Sequence, residues 1–271
     1  MHLAVHDGRA RGSLAVLMDG VRFVAIGDSF TEGVGDEPVP GVVRGWADLV
    51  AQGWADATRT PVGYANLAIR GKLARAIVDE QLEPALALRP THLSFNGGGN
   101  DMLRPRTPLA RLADLFAHVL RRCDEEGVTL ILMSGANPSR QLPFGRIVQR
   151  RGDLLSALVD ERFAGRDDIV RADNWPDREL GTPRYWAPDR LHVNSRGHHR
   201  VAARVLSALG LEPRPEWWDF SEAPEVAWLG RSEYMREHLA PWVRRRLTGT
   251  SSGDGREPKY ATLTTVEPSP L

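Results

Sequence analysis

The sequence predicts an α/β fold: a three-layer α/β/α sandwich built on a parallel five-stranded sheet. Two observations carry this. Five short apolar runs recur along the chain, each followed by a segment of helical spacing or a loop leading to one, which is a βαβα rhythm. Runs such as VTLILM (128–133) are apolar almost without interruption, as befits strands that meet helices on both faces. In open sheets of this kind ligands bind beyond the carboxyl ends of the strands, so residues just past each strand end are the first candidates for function.

The strand runs are Arg22 to Ile26, Gly63 to Ile69, His92 to Asn96, Val128 to Ser134 and Asp168 to Ala172. Between and after them, apolar residues at helical spacing predict helices over Trp46 to Ala57, Lys72 to Leu88, Leu109 to Glu126, Gly145 to Phe163 and Ser195 to Leu209. Pro84 falls inside the second of these. Because proline suits a first helical turn and not an interior, the expectation there is one helix ending and another beginning.

The chain divides by composition into a leader (1–20), a main domain (21–210) and a C-terminal appendage (211–271). The leader reads as loose. The appendage opens with the proline-, acid- and tryptophan-rich EPRPEWWDFSEAPEVAWLG and continues into REHLAPWVRRRLTG, a surface helix whose WVRRRL stretch is basic and amphipathic. Its last residues, TGTSSGDGREPKYATLTTVEPSPL, have the composition of a disordered tail.

With 35 basic and 35 acidic side chains there is no bulk charge to attract nucleic acid or an anionic membrane. No window approaches the roughly 20 apolar residues of a membrane span, and the N-terminus lacks a secretory signal, so the expected location is cytoplasmic. Cys123 is the sole cysteine, which excludes an internal disulfide and a cysteine-rich zinc site. His198 and His199 are adjacent and point to different helix faces; with no H-E-x-x-H motif, neither metal nor cofactor is expected.

Four features past strand ends bear on chemistry. GDSFTEG (27–33) follows the first strand and offers Ser29 as a nucleophile, which needs a base, an orienter and oxyanion donors to act. PDRLH (188–192) sets Asp189 three positions before His192, a spacing that lets the carboxylate reach Nδ1 and leaves Nε2 free to accept a proton. Taken alone, the pair reads sooner as a helix-entry acid and a surface histidine. SFNGGGNDM (94–102) follows the third strand, and its glycines allow a tight path that brings the Asn100 amide, a neutral donor, to the rim while Asp101 turns inward. AIRGKLA (68–74) places Gly71 after the second strand, where alone it is a helix-entry glycine.

Together these four features resemble the SGNH, or GDSL-type, hydrolase superfamily over about residues 21–209. The resemblance implies a flavodoxin-like sandwich and a serine-dependent esterase with lipase-like chemistry. It makes Ser29 the nucleophile, His192 the general base and acid, Asp189 its orienter, and Ser29, Gly71 and Asn100 the oxyanion hole, with Asp28 and Asp101 in support. Phe30 stands where the family's motif has leucine, an apolar exchange that leaves the nucleophile unaffected. The appendage lies outside the resemblance.

The expected partner is a small-molecule ester with a short or acetyl acyl group, since no long apolar lid is evident; the sequence leaves the oligomeric state open. Arg104 and Arg106 are candidates to receive an anion, and Trp175, Tyr185 and Trp186 to stack on a ring, although solvated arginines and packing aromatics account for them as well. The alternative is a flavodoxin-like phosphate- or nucleotide-binding module with SFTEG as its phosphate loop, which leaves the D-x-x-H pair and GGND without a task. A silent scaffold is the other.

Overall fold

A computed structural model describes residues 20–104, 106–220, 222, 228–241, 244, 248 and 250–270. Strands β1 (Arg22–Ile26), β2 (Val62–Asn66), β3 (His92–Phe95), β4 (Thr129–Ser134), β5 (Val170–Asp173) and β6 (Tyr260–Val266) form one sheet in the order β5-β4-β3-β1-β2-β6. The first five run parallel. From β1 the chain passes to β2 on one side and then to β3 on the other. The ends of β1 and β3 therefore diverge at a topological switch point, where such sheets open a crevice.

Successive strand residues point to opposite faces, and the core divides accordingly. Phe23 and Ala25 of β1 face a layer containing Trp46, Val50 and Trp54 of helix α2 (Trp46–Thr58) and Val201 and Val205 of α7 (Ser195–Ala208). Val24 and Ile26 face the other layer, with Phe116 and Val119 of α5 (Leu109–Glu125) and Val159 of α6 (Gly145–Arg162). The remaining short helices before the appendage are α1 (Ser29–Glu32) after β1 and α4 (Gly99–Met102) after β3; α3, residues 74–87, connects β2 to β3.

Two expectations are corrected. Pro84 does not split its helix. The chain widens into a π turn at Val78–Leu82 and stays helical through Glu83–Ala87, since wider-spaced bonding accommodates a proline that has no N–H to give. The second correction concerns the last residues, which are no disordered tail. YATLTTV is strand β6, antiparallel to β2 with Val62 opposite Val266 and Tyr64 opposite Thr264, so the sheet has six strands instead of five. Glycine, serine and proline on either side conceal a run rich in β-branched and aromatic residues, and that run covers what would otherwise be the open edge of β2.

The appendage contains a helix, α8, over Arg231–Tyr234 and a π turn at Met235–Leu239, which starts ahead of the REHLAPWVRRRLTG stretch read as a surface helix. The leader, residues 1–19, and most of WVRRRL lie outside the described residues. No helix among the described residues is long and apolar enough to cross a membrane.

One ion pair fastens β6 to the main domain. Lys259 Nζ donates to Asp48 Oδ2 on α2 at 2.6 Å and to the carbonyl of Glu32, the last residue of α1, at 2.7 Å. Burial pushes the Asp48 carboxyl up in pKa even with the ammonium beside it. Removing one partner of a buried pair costs about 3–5 kcal/mol, so Lys259→Met is expected to lower unfolding free energy by about 3 kcal/mol at pH 8. The raised Asp48 then carries the sign: its penalty exists while the carboxylate is ionised and shrinks as pH falls and it protonates. Denaturant titrations at pH 8 and pH 5 check this, and a loss below about 0.5 kcal/mol at both would reject it.

Candidate active site

Ser29 begins α1. The N-cap is Asp28, whose Oδ1 accepts the Phe30 N–H at 3.1 Å, and Gly33 ends the single turn in the left-handed region at φ 103°. Ahead of it, Gln81 in the π turn of α3 grips the Gly27 peptide from both sides, accepting its N–H at 2.9 Å and donating to its carbonyl at 3.0 Å. The strand-to-helix turn that presents Ser29 is thus fixed by a buried carboxamide.

His192 arrives from the loop between β5 and α7. Its Nε2 accepts from Ser29 Oγ at 3.0 Å, and its Nδ1 donates to Asp189 Oδ2 at 2.5 Å. The other Asp189 oxygen accepts the backbone N–H groups of Leu191 and His192, both at 3.0 Å, closing a turn that aims carboxylate and imidazole at each other. Between them Arg190 is held at φ 61°, with its guanidinium 5.0 Å from the Trp228 ring and 4.4 Å from the Tyr234 ring. The appendage therefore clamps the turn that carries Asp189 and His192.

The electrostatics match this geometry. Desolvation alone would raise the Asp189 carboxyl, but the His192 charge and hydrogen bonds bring it down to about 2. Desolvation likewise pulls His192 down, and the Asp189 carboxylate, aided by Asp28, outweighs it, leaving the imidazole above its ordinary value. Asp28 is raised by burial to about 6, opposed by the Phe30 N–H and by His192.

On the other side of Ser29 stand the candidate oxyanion donors. Among the described residues the N–H groups of Ser29 and Gly71 have no hydrogen-bond partner. Gly71 sits at φ 78°, where a side chain would be strained, and its loop is tied to α1: Glu32 receives both the Arg70 N–H at 2.7 Å and the Arg70 guanidinium. Ser251 and Gly253 of the C-terminal segment pack on the Arg70–Gly71 peptide. Asn100 reaches the same rim, but its Nδ2 donates to the Lys72 carbonyl at 3.0 Å and to Asp28 Oδ2 at 3.1 Å. Asp101 does turn inward and accepts the Ala74 N–H at 2.9 Å, joining α4 to the start of α3.

Other candidates fall elsewhere. Tyr185 and Trp186 are fully buried and Trp175 nearly so, with the Trp186 and Trp175 indole N–H groups bonded to Leu180 O and Asp153; Tyr185 is a packing aromatic, while Trp175 and Trp186 also line the cavity beside Ser29. Arg104 and Arg106 are exposed. His198 is buried and neutral, its pKa lowered by desolvation to about 4, with Nδ1 accepting the Trp46 N–H and Nε2 donating to Val34 O. Sequence reasoning missed Gln81, Glu32, Arg70 and the contribution of residues 251–259. Of these, Glu32 and Arg70 lay within motifs that had been singled out, GDSFTEG and AIRGKLA.

Solved structures share this fold. A lipase from a goat rumen metagenome matches at TM-score 0.59 and 17% identity, covering 70% of this chain and 97% of its own. An acetylxylan esterase from Geobacillus stearothermophilus matches at TM-score 0.57 and 20% identity, covering 74% and 97%. A psychrotrophic esterase from Pseudoalteromonas sp. matches at TM-score 0.56 and 16% identity, covering 70% and 97%. No curated protein matches the sequence. The profile of one family does match, over residues 25–200, a span that takes in the serine turn, the loops of Gly71 and Asn100 and the D-x-x-H pair: the chain belongs to the GDSL-like lipase/acylhydrolase family.

Proposed function

We propose that this protein is a serine esterase that hydrolyses small carboxylic esters of short acyl groups through an acyl-serine intermediate. The observation that carries the reading is the continuous chain Ser29 Oγ to His192 Nε2 to Asp189 Oδ2, at 3.0 and 2.5 Å. A hydroxyl, a base and an orienting carboxylate in that order form a charge-managed nucleophile.

In the first half-reaction Ser29 Oγ bonds to the ester carbonyl carbon while its proton passes to His192 Nε2. The oxyanion is met by the Ser29 and Gly71 N–H groups and by Asn100, whose amide exchanges its bond to Asp28 for the developing charge. When the carbon–oxygen bond to the alcohol breaks, His192 gives the proton to the departing oxygen. Water then attacks the acyl-serine with His192 again as base, releasing the acid and restoring the Ser29 hydroxyl. Asp189 holds the tautomer and stabilises the imidazolium throughout.

Hydrolysis of p-nitrophenyl acetate and butyrate by wild type and Ser29→Ala tests the reading. Activity that persists at wild-type level in a folded Ser29→Ala protein would remove the serine from the mechanism. Asn100→Ala is expected to retain KM while kcat falls by about 100-fold to 1000-fold, the usual effect of losing one oxyanion donor; steady-state kinetics decide it, and unchanged kcat would take Asn100 out of the hole.

The pH profile follows from His192. Protonated imidazole cannot act as base, so kcat/KM should fall as pH drops through its pKa, which Asp189 holds above the ordinary value of about 6.5. An acidic limb centred below pH 6 would contradict the assignment. Asp189→Asn removes the charge that raises the imidazole, so the limb should move to lower pH while kcat falls at least about tenfold.

A further inference from the structure

Ser29 stands at the mouth of a mostly apolar cavity of about 130 Å³ that descends between the sheet and α6. Its depth is legible in the strand register. Ile26 of β1, Phe95 of β3 and Leu132 of β4 lie side by side, and Ser29 is three residues beyond Ile26, so Leu132, which lines the cavity, is well below the rim. Helix α6 connects the top of β4 to the bottom of β5 and therefore descends along the cavity. Leu155, Ser156 and Val159 present one of its faces to the space, and Phe116 of α5 closes another side. At the level of Leu132, Arg171 forms part of the wall, its charge held by Asp160 at 2.7 Å and Asp173 at 3.0 Å.

A second cavity, of about 110 Å³, lies under α8 and is lined by Asp189, Tyr234 and Leu239. The two spaces share His192, Leu191 and Leu103. Since His192 must protonate the departing oxygen, the alcohol leaves on the side of the imidazole and Asp189, which is the second cavity. The first is left for the acyl group.

Resting on the serine-esterase reading above, we propose that the cavity between the sheet and α6 is an acyl slot, and that the preferred substrates are esters of linear apolar acids from butanoic to hexanoic, in preference to acetates. An apolar cavity of about 150 Å³ takes up a benzene ring, so a space of this size fits a chain of about six carbons, which an acetyl group leaves largely unfilled. The chemistry is that of the proposed cycle: the acyl carbon bonds to Ser29 Oγ, the bond to the alcohol oxygen breaks, and the serine proton reaches that oxygen through His192.

The test is kcat/KM for p-nitrophenyl acetate, butyrate, hexanoate and dodecanoate, with labelling of Ser29 by diethyl p-nitrophenyl phosphate followed by mass spectrometry. Wild type should gain about fourfold per added methylene up to hexanoate and lose rate by dodecanoate. Val159→Phe and Ser156→Phe fill the slot and should lower the hexanoate-to-acetate ratio at least about tenfold. Ser156 is half-buried, so its variant keeps the test if Val159→Phe does not fold, as circular dichroism will show. A wild type labelled at Ser29 whose rates decline steadily from acetate overturns the acyl slot and leaves the esterase reading intact, as does a folded Ser156→Phe protein with an unchanged ratio. A wild type neither labelled nor active on any ester overturns both.

Discussion

The contact on which the rest of the site depends is the 3.0 Å hydrogen bond from Ser29 to His192, two residues 163 positions apart in the chain. Each half is held by contacts of its own. Asp28 and Gln81 fix the serine turn, while the Asp189 turn and the Arg190 clamp fix the histidine loop. Their approach is backbone against backbone: Gly35, at φ 102°, has no room for a side chain, because a Cβ there would lie 2.1 Å from the Val193 carbonyl. A parallel sheet makes this approach possible, since the loops after β1 and β5 open on the same edge.

A second histidine reinforces the junction from below. His198, six residues after His192 on the first turn of α7, bonds to both the Val34 carbonyl and the Trp46 N–H, and so links α7 to the two ends of the segment that runs from α1 to α2. Two histidines close in sequence carry opposite electrostatic settings. An adjacent carboxylate raises His192, while desolvation lowers His198 to about 4 and keeps it neutral, a hydrogen-bonding strut where His192 titrates.

Much of this was legible in the sequence because it is written locally. Five strands were readable from apolar runs, and Ser29, Gly71, Asn100, Asp101, Asp189 and His192 from short motifs just past strand ends. The structure gathers those residues on one edge, as the parallel topology requires. What was illegible is long-range. Nothing around Gln81 marks it as the clamp on Gly27, since the pairing exists only after α3 packs beneath β1. Strand β6 was hidden for a related reason: its residues are good strand formers, but their partner is β2, about two hundred residues earlier, and the flanking serine, glycine and proline dominate a local reading. Trp175 and Trp186 are a mixed case: both are buried and bonded through their indole N–H groups, yet both also line the cavity beside Ser29.

The C-terminal segment consequently belongs to the site's architecture. Trp228 and Tyr234 hold Arg190 between Asp189 and His192, and α8 roofs the cavity on the imidazole side. Farther along, Ser251 and Gly253 rest on the Arg70–Gly71 peptide, and Lys259 fastens the chain to the end of α1. A peptide unit is planar, so contacts that restrain the Arg70 carbonyl also restrain the Gly71 N–H on its opposite side. Glycine at φ 78° offers little resistance of its own to a change in that plane. The orientation of this N–H therefore comes from its neighbours: Glu32 holding Arg70 from the helix that carries Ser29, and residues 251–253 pressing from the far end of the chain. The segment that composition sets apart as a tail thus packs against the donor of the SGNH resemblance that has least intrinsic rigidity.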